Sequence, residues 1–358
     1  MTPRERVLAT LNFATPDRMP RNAWLSRWAH LYLPEEVEAF KARWEMDFSN
    51  AAKPYRPSAR LQGDPCDIGI HTDEWGCRFD NIQAGVIGEV KHPTVPDLSR
   101  WRETMRPPWE TLPTDLPAAR RQVEQACTTT DTFVFMAGCP NPWERYQFLR
   151  GTAEAMADLA ESPDEAAAMI AEIHRFYMAE MEFWASTSVD GLMFMDDWGA
   201  QKGLLISPRM WRRFFKPLYA DYCRVAHAAG KKVFMHSDGD IVSILPDLVE
   251  IGLDALNSQL GCMDLAKVAA AAKGRLTFWG EIDRQHALPS GAAAVHAEVR
   301  RIADALYDPR GGVIAQFEWG GACRPESANA VFEAWDEIDG AGRTRTSPPD
   351  PHAGPPVR

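Results

Sequence analysis

The stretch that decides the fold runs from DGLMFMDDWG (190–199) through a helical pattern (208–230) to KKVFMHSDG (231–239). The first and last segments are short apolar runs that end in polar residues, as strands buried on both faces do. The middle segment, PRMWRRFFKPLYADYCRVAHAAG, carries apolar residues at helical spacing after Ser207, a typical N-cap residue. Pro217 predicts a kink or a division in this helix. A strand, a helix and a second strand in this order predict a parallel sheet.

Further apolar runs extend the pattern in both directions along the chain. They are TFVFMAGCP (132–140), LDALNSQ (253–259), RLTFWGEID (275–283) and GGVIAQFEWG (311–320), with helical patterns at 153–189 and 289–306. A doubly wound sheet would fit this alternation too. Because several strands end in polar or charged residues, we favour a barrel, which collects its site on one face. We therefore predict an α/β fold, a single (β/α)8 TIM barrel over 1–338 with an N-terminal helical extension, and a disordered Pro/Gly-rich tail at 339–358.

The composition excludes several classes of protein. Of the 358 residues, 45% are hydrophobic and 25% charged, as in a globular protein with a large core. The net charge of −11, without a run of Lys or Arg, gives no indication of a nucleic-acid or anionic-membrane partner. No apolar stretch approaches the roughly 20 residues of a membrane span, and MTPRERVLATL lacks the apolar core of a signal peptide, so we expect a cytoplasmic protein. The seven cysteines form no C-x-x-C pair, which argues against a zinc ribbon.

The segment HSDGD, residues 236–240, is the sharpest candidate for chemistry. Successive side chains of a strand point to opposite faces, so His236 and Asp238 should face the same way. Such a pair forms half of a metal site or an acid/base pair. The alternative is a buried, hydrogen-bonded histidine and a helix-capping aspartate.

Other acids follow the predicted strands. Asp196 and Asp197 end one strand and cannot both face the barrel interior, so one should be structural or cap a helix. Glu318 follows an apolar run in IAQFEWGG. HTDEWG (71–76) and GCPNPWERY (138–146) contribute further acids and aromatic residues. Phosphate-loop, dinucleotide-binding and serine-hydrolase motifs are absent from the sequence.

Taken together, these segments resemble the uroporphyrinogen decarboxylase superfamily from about residue 3 to 336. RERVLATLNFATPDRMPR resembles the N-terminal helix and D-R-x-P turn of that family. The block 190–259 is the most specific part, and GEIDRQHALPSG (280–291) completes the pattern. The resemblance is closer to the corrinoid-dependent methyltransferase branch than to true decarboxylases. In those decarboxylases an R-Q-A-G-R segment supplies arginines for the substrate carboxylates, whereas the matching stretch here (23–36) keeps only Arg27.

The resemblance implies roles for individual residues. Asp73 lies at the position of the family's catalytic aspartate, and Tyr146 at that of its active-site tyrosine. The methyltransferases bind zinc through an H-x-C pair and a cysteine of a late strand, positions that read His236, Asp238 and Glu318 here. Carboxylates in place of thiolates favour zinc, manganese or iron with oxygen ligands.

Our first hypothesis is a metal-dependent methyltransferase or demethylase component that exchanges a methyl group with a corrinoid on a partner protein. His236, Asp238 and Glu318 would hold the metal, and Asp197 would be a fourth ligand or a proton acceptor. For Asp73 and Tyr146 we expect catalytic roles. The remaining assignments are to substrate binding: Arg27, Trp143, Gln201 and Trp279.

Two alternatives remain open at this point. One is a metal-free decarboxylase that uses Asp73, Arg27 and Tyr146 as an electrostatic cradle. The other is a ligand-binding barrel without catalysis. The family resemblance also implies a homodimer.

Overall fold

The computed structural model describes the backbone of residues 1–346 and the side chains of residues 1–340. In this part of the chain, eight parallel strands form one sheet in the order β1-β8-β7-β6-β5-β4-β3-β2. They are β1 Arg21–Leu25, β2 Phe48–Asn50, β3 Phe133–Phe135, β4 Gly191–Met195, β5 Lys232–Ser237, β6 Ala255–Ser258, β7 Thr277–Trp279 and β8 Val313–Trp319. The N–H of Asp47 donates to the carbonyl of Arg21 at 3.0 Å and joins the two ends of the sheet. The result is the nearly closed barrel that the alternation of strands and helices predicts.

Helices cover the outside of the barrel. In chain order they are α1 Pro3–Leu11, α2 Arg27–Tyr32, α3 Pro34–Arg43, α4 Trp101–Thr104, α5 Leu116–Thr128, α6 Pro142–Arg150, α7 Thr152–Glu161, α8 Pro163–Ala185, α9 Pro208–Phe214, α10 Lys216–Ala228, α11 Leu245–Glu250, α12 Leu265–Ala272, α13 Ala287–Ser290, α14 Ala292–Leu306 and α15 Pro325–Thr346. The Ser207 hydroxyl accepts the Met210 N–H at 3.2 Å and caps α9. The predicted division at Pro217 is confirmed, because α9 ends at Phe214 and Pro217 lies in the first turn of α10.

Aromatic side chains fill the interior of the barrel. Phe48, Phe135, Phe234 and Trp279 pack against one another with ring centroids 4.7–6.3 Å apart. Val7 and Leu11 of α1 belong to the same buried cluster. The predicted N-terminal helix therefore contributes its apolar side to the barrel core.

A long segment between β2 and β3 leaves the barrel and forms a small sheet. Its antiparallel strands are Gly69–Thr72, Arg78–Asn81 and Glu89–His92. HTDEWG, whose strand status the sequence leaves open, spans the end of the first strand and the turn after it. The sequence patterns also missed β1 and β2, which are short and carry few β-branched residues.

The last helix of the described chain crosses position 338, where we predict the end of the barrel. Helix α15 continues to Thr346, and residues 347–358 of the predicted tail lie outside the described residues. Within the described residues, no helix is both long enough and apolar enough to cross a bilayer.

Candidate metal centre at the carboxyl end of the barrel

The alternation of side chains along β5 brings His236 and Asp238 to one point. Phe234 packs inside the barrel and Met235 packs outside it, so His236 faces inward again. His236 is 6% exposed, and its Nε2 lies 3.5 Å from Oδ1 of Asp238. This arrangement confirms the same-face prediction for the pair.

The adjacent acids at the end of β4 point in opposite directions. Oδ1 of Asp197 lies 3.5 Å from His236 Nε2 and accepts the Asp238 N–H at 2.9 Å. Asp196 is fully buried, and its carboxylate accepts the N–H groups of Trp143 and Glu144 at 3.0 and 2.8 Å. Asp196 thus caps the start of α6, whereas Asp197 faces the site, as the strand alternation requires.

The distances between ligand atoms show whether a cation could bind among Asp197, His236 and Asp238. One ligand atom from each of these residues lies within 4.8 Å of the others. Nδ1 of His236 lies 2.6 Å from the Asn257 side-chain oxygen, which can only accept a hydrogen bond. The proton therefore belongs on Nδ1, and the Nε2 lone pair is directed at the two carboxylates, as in histidines that bind metals. Two carboxylate oxygens and one imidazole nitrogen fit a divalent cation.

The charges around His236 favour a positive group at this place. Burial lowers the pKa of His236, but the hydrogen bond to Asp197 and the charge of Asp238 outweigh it and raise the pKa to about 9. The second proton of the charged imidazole is the one on Nε2, and a cation bound at Nε2 would replace it.

Arg284, in the loop after β7, lies between two acids that the sequence analysis assigns to the metal. Its Nη2 donates to both carboxylate oxygens of Asp238 at 2.7 and 2.6 Å, and its Nη1 donates to Oε2 of Glu318 at 2.5 Å. Glu318 is not a member of the group formed by Asp197, His236 and Asp238. The predicted third ligand is therefore paired with an arginine, a contact that the sequence analysis missed.

Two further acids near the site were given no role in the sequence analysis. Glu281 is 2% exposed, and burial raises its pKa to about 8 although Arg284 opposes the shift. Glu144 accepts from the Asn141 amide at 3.2 Å, and burial and Asp197 raise the pKa of Glu144 to about 7. Both glutamates lie in segments that the sequence analysis quoted, Glu281 in a loop and Glu144 in the first turn of α6, but a single acid in either place carries no local signal of burial.

A cavity of about 540 Å³ opens beside the candidate centre. Arg27, Trp28, Arg284 and Glu318 line it, together with small and apolar residues. Within the described residues, Arg27 has no carboxylate at ion-pair distance, so its guanidinium is available to a ligand. Gln201 and Arg284 both line a second, smaller cavity of about 70 Å³.

Asp73 and Tyr146 have structural contacts away from this group. Asp73 is buried in an ion pair with Arg145. The Tyr146 hydroxyl is buried and donates to Asp158 at 2.8 Å, and Asp158 also accepts from Arg150. Neither residue lines the 540 Å³ cavity.

The two tryptophans assigned to substrate binding lie in the core. Trp143 is fully buried and stacks on Trp198 with ring centroids 5.2 Å apart. Trp279 is 1% exposed in the barrel interior, and its indole N–H donates to Asn22 at 3.1 Å. As arranged, neither ring presents its face to the 540 Å³ cavity.

Comparisons with known proteins identify the architecture. The family model described as uroporphyrinogen decarboxylase (URO-D) matches residues 2–337. A methyltransferase from Methanosarcina mazei is 15% identical, with a TM-score of 0.67 over 94% of this chain and 99% of that chain. A psychrophilic glycoside hydrolase family 10 endo-β-1,4-xylanase is 10% identical, with a TM-score of 0.41 over 87% of this chain and 96% of that chain. No curated protein sequence matches this chain significantly.

Proposed function

The chain belongs to the uroporphyrinogen decarboxylase family, and on that basis we propose that it is a divalent-cation-dependent enzyme of methyl transfer. The methyl group would pass between a small molecule and a corrinoid carried by a partner protein. The observation that carries the proposal is the group formed by Asp197, His236 and Asp238 at the carboxyl end of the strands, where barrel enzymes have their active sites. The methyltransferase from Methanosarcina mazei supports it at the level of the fold.

The donor set defines which ions the centre would hold. Two carboxylates and an imidazole suit zinc, and also manganese or iron. When bound, such an ion acts as a Lewis acid that lowers the pKa of a methyl acceptor or polarises a substrate oxygen.

The other residues of the site bind and orient. Asn257 fixes the imidazole of His236 with Nε2 toward the carboxylates. Arg27 would bind an anionic group of the substrate in the 540 Å³ cavity, where its guanidinium has no carboxylate partner among the described residues. Gln201 would contribute a polar side chain to the 70 Å³ cavity, which Arg284 also lines.

The alternatives lack such an observation. A metal-free decarboxylase would use Asp73 and Tyr146 with Arg27, but the two former side chains are committed to buried partners. A barrel without catalysis would leave Asp197 and Asp238 converging on His236 without a function for the convergence.

Metal analysis of protein purified without chelators tests the proposal. We expect about one equivalent of divalent cation per wild-type chain and none in His236→Ala. Asn257→Ala should weaken cation binding roughly 10–100-fold, because the imidazole loses its orienting partner. Ser258→Ala is the matched control, since Ser258 follows on β6 and its buried hydroxyl has no hydrogen-bond partner among the described residues.

Turnover is followed with methylcobalamin as the probe. In the presence of a thiol acceptor, the metal-loaded wild type should remove the methyl group of methylcobalamin, which changes the visible spectrum of the corrinoid. His236→Ala should not. Metal-free wild-type protein with a native fold, or His236→Ala with full cation content, would refute the proposal.

A further inference from the structure

Arg284 is the residue from which we infer more about the candidate centre. It lies in the loop after β7, and its guanidinium is 29% exposed. Three acidic side chains surround it: Asp238, Glu318 and Glu281, the last with Oε1 at 3.3 Å from Arg284 Nε. No other arginine contacts Asp238 or Glu318 among the described residues.

The donors of Arg284 are divided between the two sides of the site. Nη2 bonds to Asp238, which belongs to the cation-binding group, and Nη1 bonds to Glu318, which does not. A planar guanidinium can hold two carboxylates at a fixed separation, whereas the point charge of a lysine cannot. Arg284 therefore works as a spacer between Asp238 and Glu318.

Moving Glu318 onto a cation would be costly. The carboxylate would have to leave a charge-assisted hydrogen bond, and Arg284 would then be left partly buried with one partner fewer. Asp238 can turn one oxygen to the ion while Glu318 still holds the guanidinium, because the two carboxylates accept from different nitrogens of Arg284.

We propose that Arg284 is a positioning residue that keeps Glu318 out of the coordination sphere. The cation would then have three protein ligands, Asp197, His236 and Asp238, and a coordination position without a protein ligand. An open position is what distinguishes catalytic from structural sites of this kind. This inference rests on the proposed function, because it presupposes that the centre binds a cation.

The test is a double-mutant cycle of cobalt affinity. Co²⁺ is titrated into metal-free wild type, Glu318→Gln, Arg284→Met and the double variant, and its visible spectrum reports the coordination. In the wild-type background, Glu318→Gln should change the Kd for Co²⁺ by less than about twofold, as expected for a residue that does not contact the ion. In the Arg284→Met background Glu318 is released and joins the ion, so the same substitution should weaken binding roughly 10-fold or more.

The controls separate positioning from loss of structure. Arg310→Met removes an arginine that pairs with Asp308 before the start of β8, at the opposite end of that strand from Glu318, and should leave the cobalt affinity unchanged. Arg284→Lys retains the charge but holds only one carboxylate, so Glu318→Gln should have an intermediate effect in that background. If Arg284→Met does not fold, the lysine background decides the question, and absence of any coupling there overturns the inference.

The outcomes also separate this inference from the proposed function. Equal weakening by Glu318→Gln in all backgrounds, or a changed cobalt spectrum on the wild-type background, makes Glu318 a ligand and overturns the inference alone. Absence of cobalt binding to the folded wild type overturns both.

Discussion

Asp73 and Arg145 form a contact between two distant parts of the sequence. Both side chains are 8% exposed. Oδ1 of Asp73 also accepts the N–H groups of Trp75 and Cys77 at 3.0 and 2.8 Å, so the residue fixes the turn of the small sheet as well. Asp73 therefore joins α6 to the long segment between β2 and β3 that carries the small sheet.

We predict that Asp73→Asn destabilises the protein. Removing one partner of a buried ion pair leaves the other charge uncompensated, at a cost of roughly 3–5 kcal/mol. Urea unfolding of the variant measures this loss. Asp67→Asn is the control, because Asp67 is exposed in the same segment between β2 and β3. Unchanged stability together with lost turnover would return Asp73 to the catalytic role that the family resemblance implies.

The end of β4 shows how one strand divides two identical side chains between structure and site. Asp196 accepts two N–H groups at the start of α6 and the Tyr219 hydroxyl at 2.6 Å, all in the core. Asp197 is 40% exposed and faces His236. One step along the strand therefore separates a helix cap from a candidate ligand.

We predict opposite effects for the two alanine substitutions. Asp196→Ala should lower the free energy of unfolding by at least roughly 1–3 kcal/mol, because it leaves buried donors without an acceptor. Asp197→Ala should lower the stability of the metal-free protein by less than Asp196→Ala does, because the Asp197 side chain is 40% exposed, and it should abolish cation binding. Urea unfolding and metal analysis of both variants check this, and the reverse pattern would contradict the division of roles.

Buried acids couple the stability of the whole molecule to pH. Glu180 of α8 is 6% exposed beside Lys53, Tyr55 and Glu74. Burial raises the pKa of Glu180 to about 7; Lys53 and Arg145 oppose the shift and Glu74 adds to it. Between the unfolded value near 4.5 and about 7, the folded chain holds a proton that the unfolded chain has released. The contribution of Glu180 to stability therefore falls as the pH rises through this window.

We predict that Glu180→Gln flattens the pH dependence of stability. The variant should lose less stability than the wild type between pH 5 and pH 8, by roughly 1–3 kcal/mol. Urea unfolding at several pH values measures this, with Glu182→Gln as the control, since Glu182 is exposed on the same helix. Identical pH profiles for the wild type and Glu180→Gln would show that Glu180 is ionised in the folded state.

At the scale of the whole molecule, the sequence predicts most of the barrel and less of the site. Each of the six quoted apolar runs contains a barrel strand. The missed strands, β1 and β2, have five and three residues and are recognisable only by their pairing with β8 and β3. Neither strand contains Val, Ile or Thr, and polar residues interrupt both, so no apolar run marks them.

What the sequence by itself determined is local. Strand alternation and its period of two place His236, Asp238 and one of the adjacent acids on the inner face, because the direction of a side chain follows from the backbone that carries it. The tertiary structure decided which carboxylate pairs with which arginine. Arg284 reaches Asp238 and Glu318 from a different loop, and Arg145 reaches Asp73 across 72 positions of sequence. Such pairs depend on how the loops cross the mouth of the barrel, and the residue types alone do not encode that path.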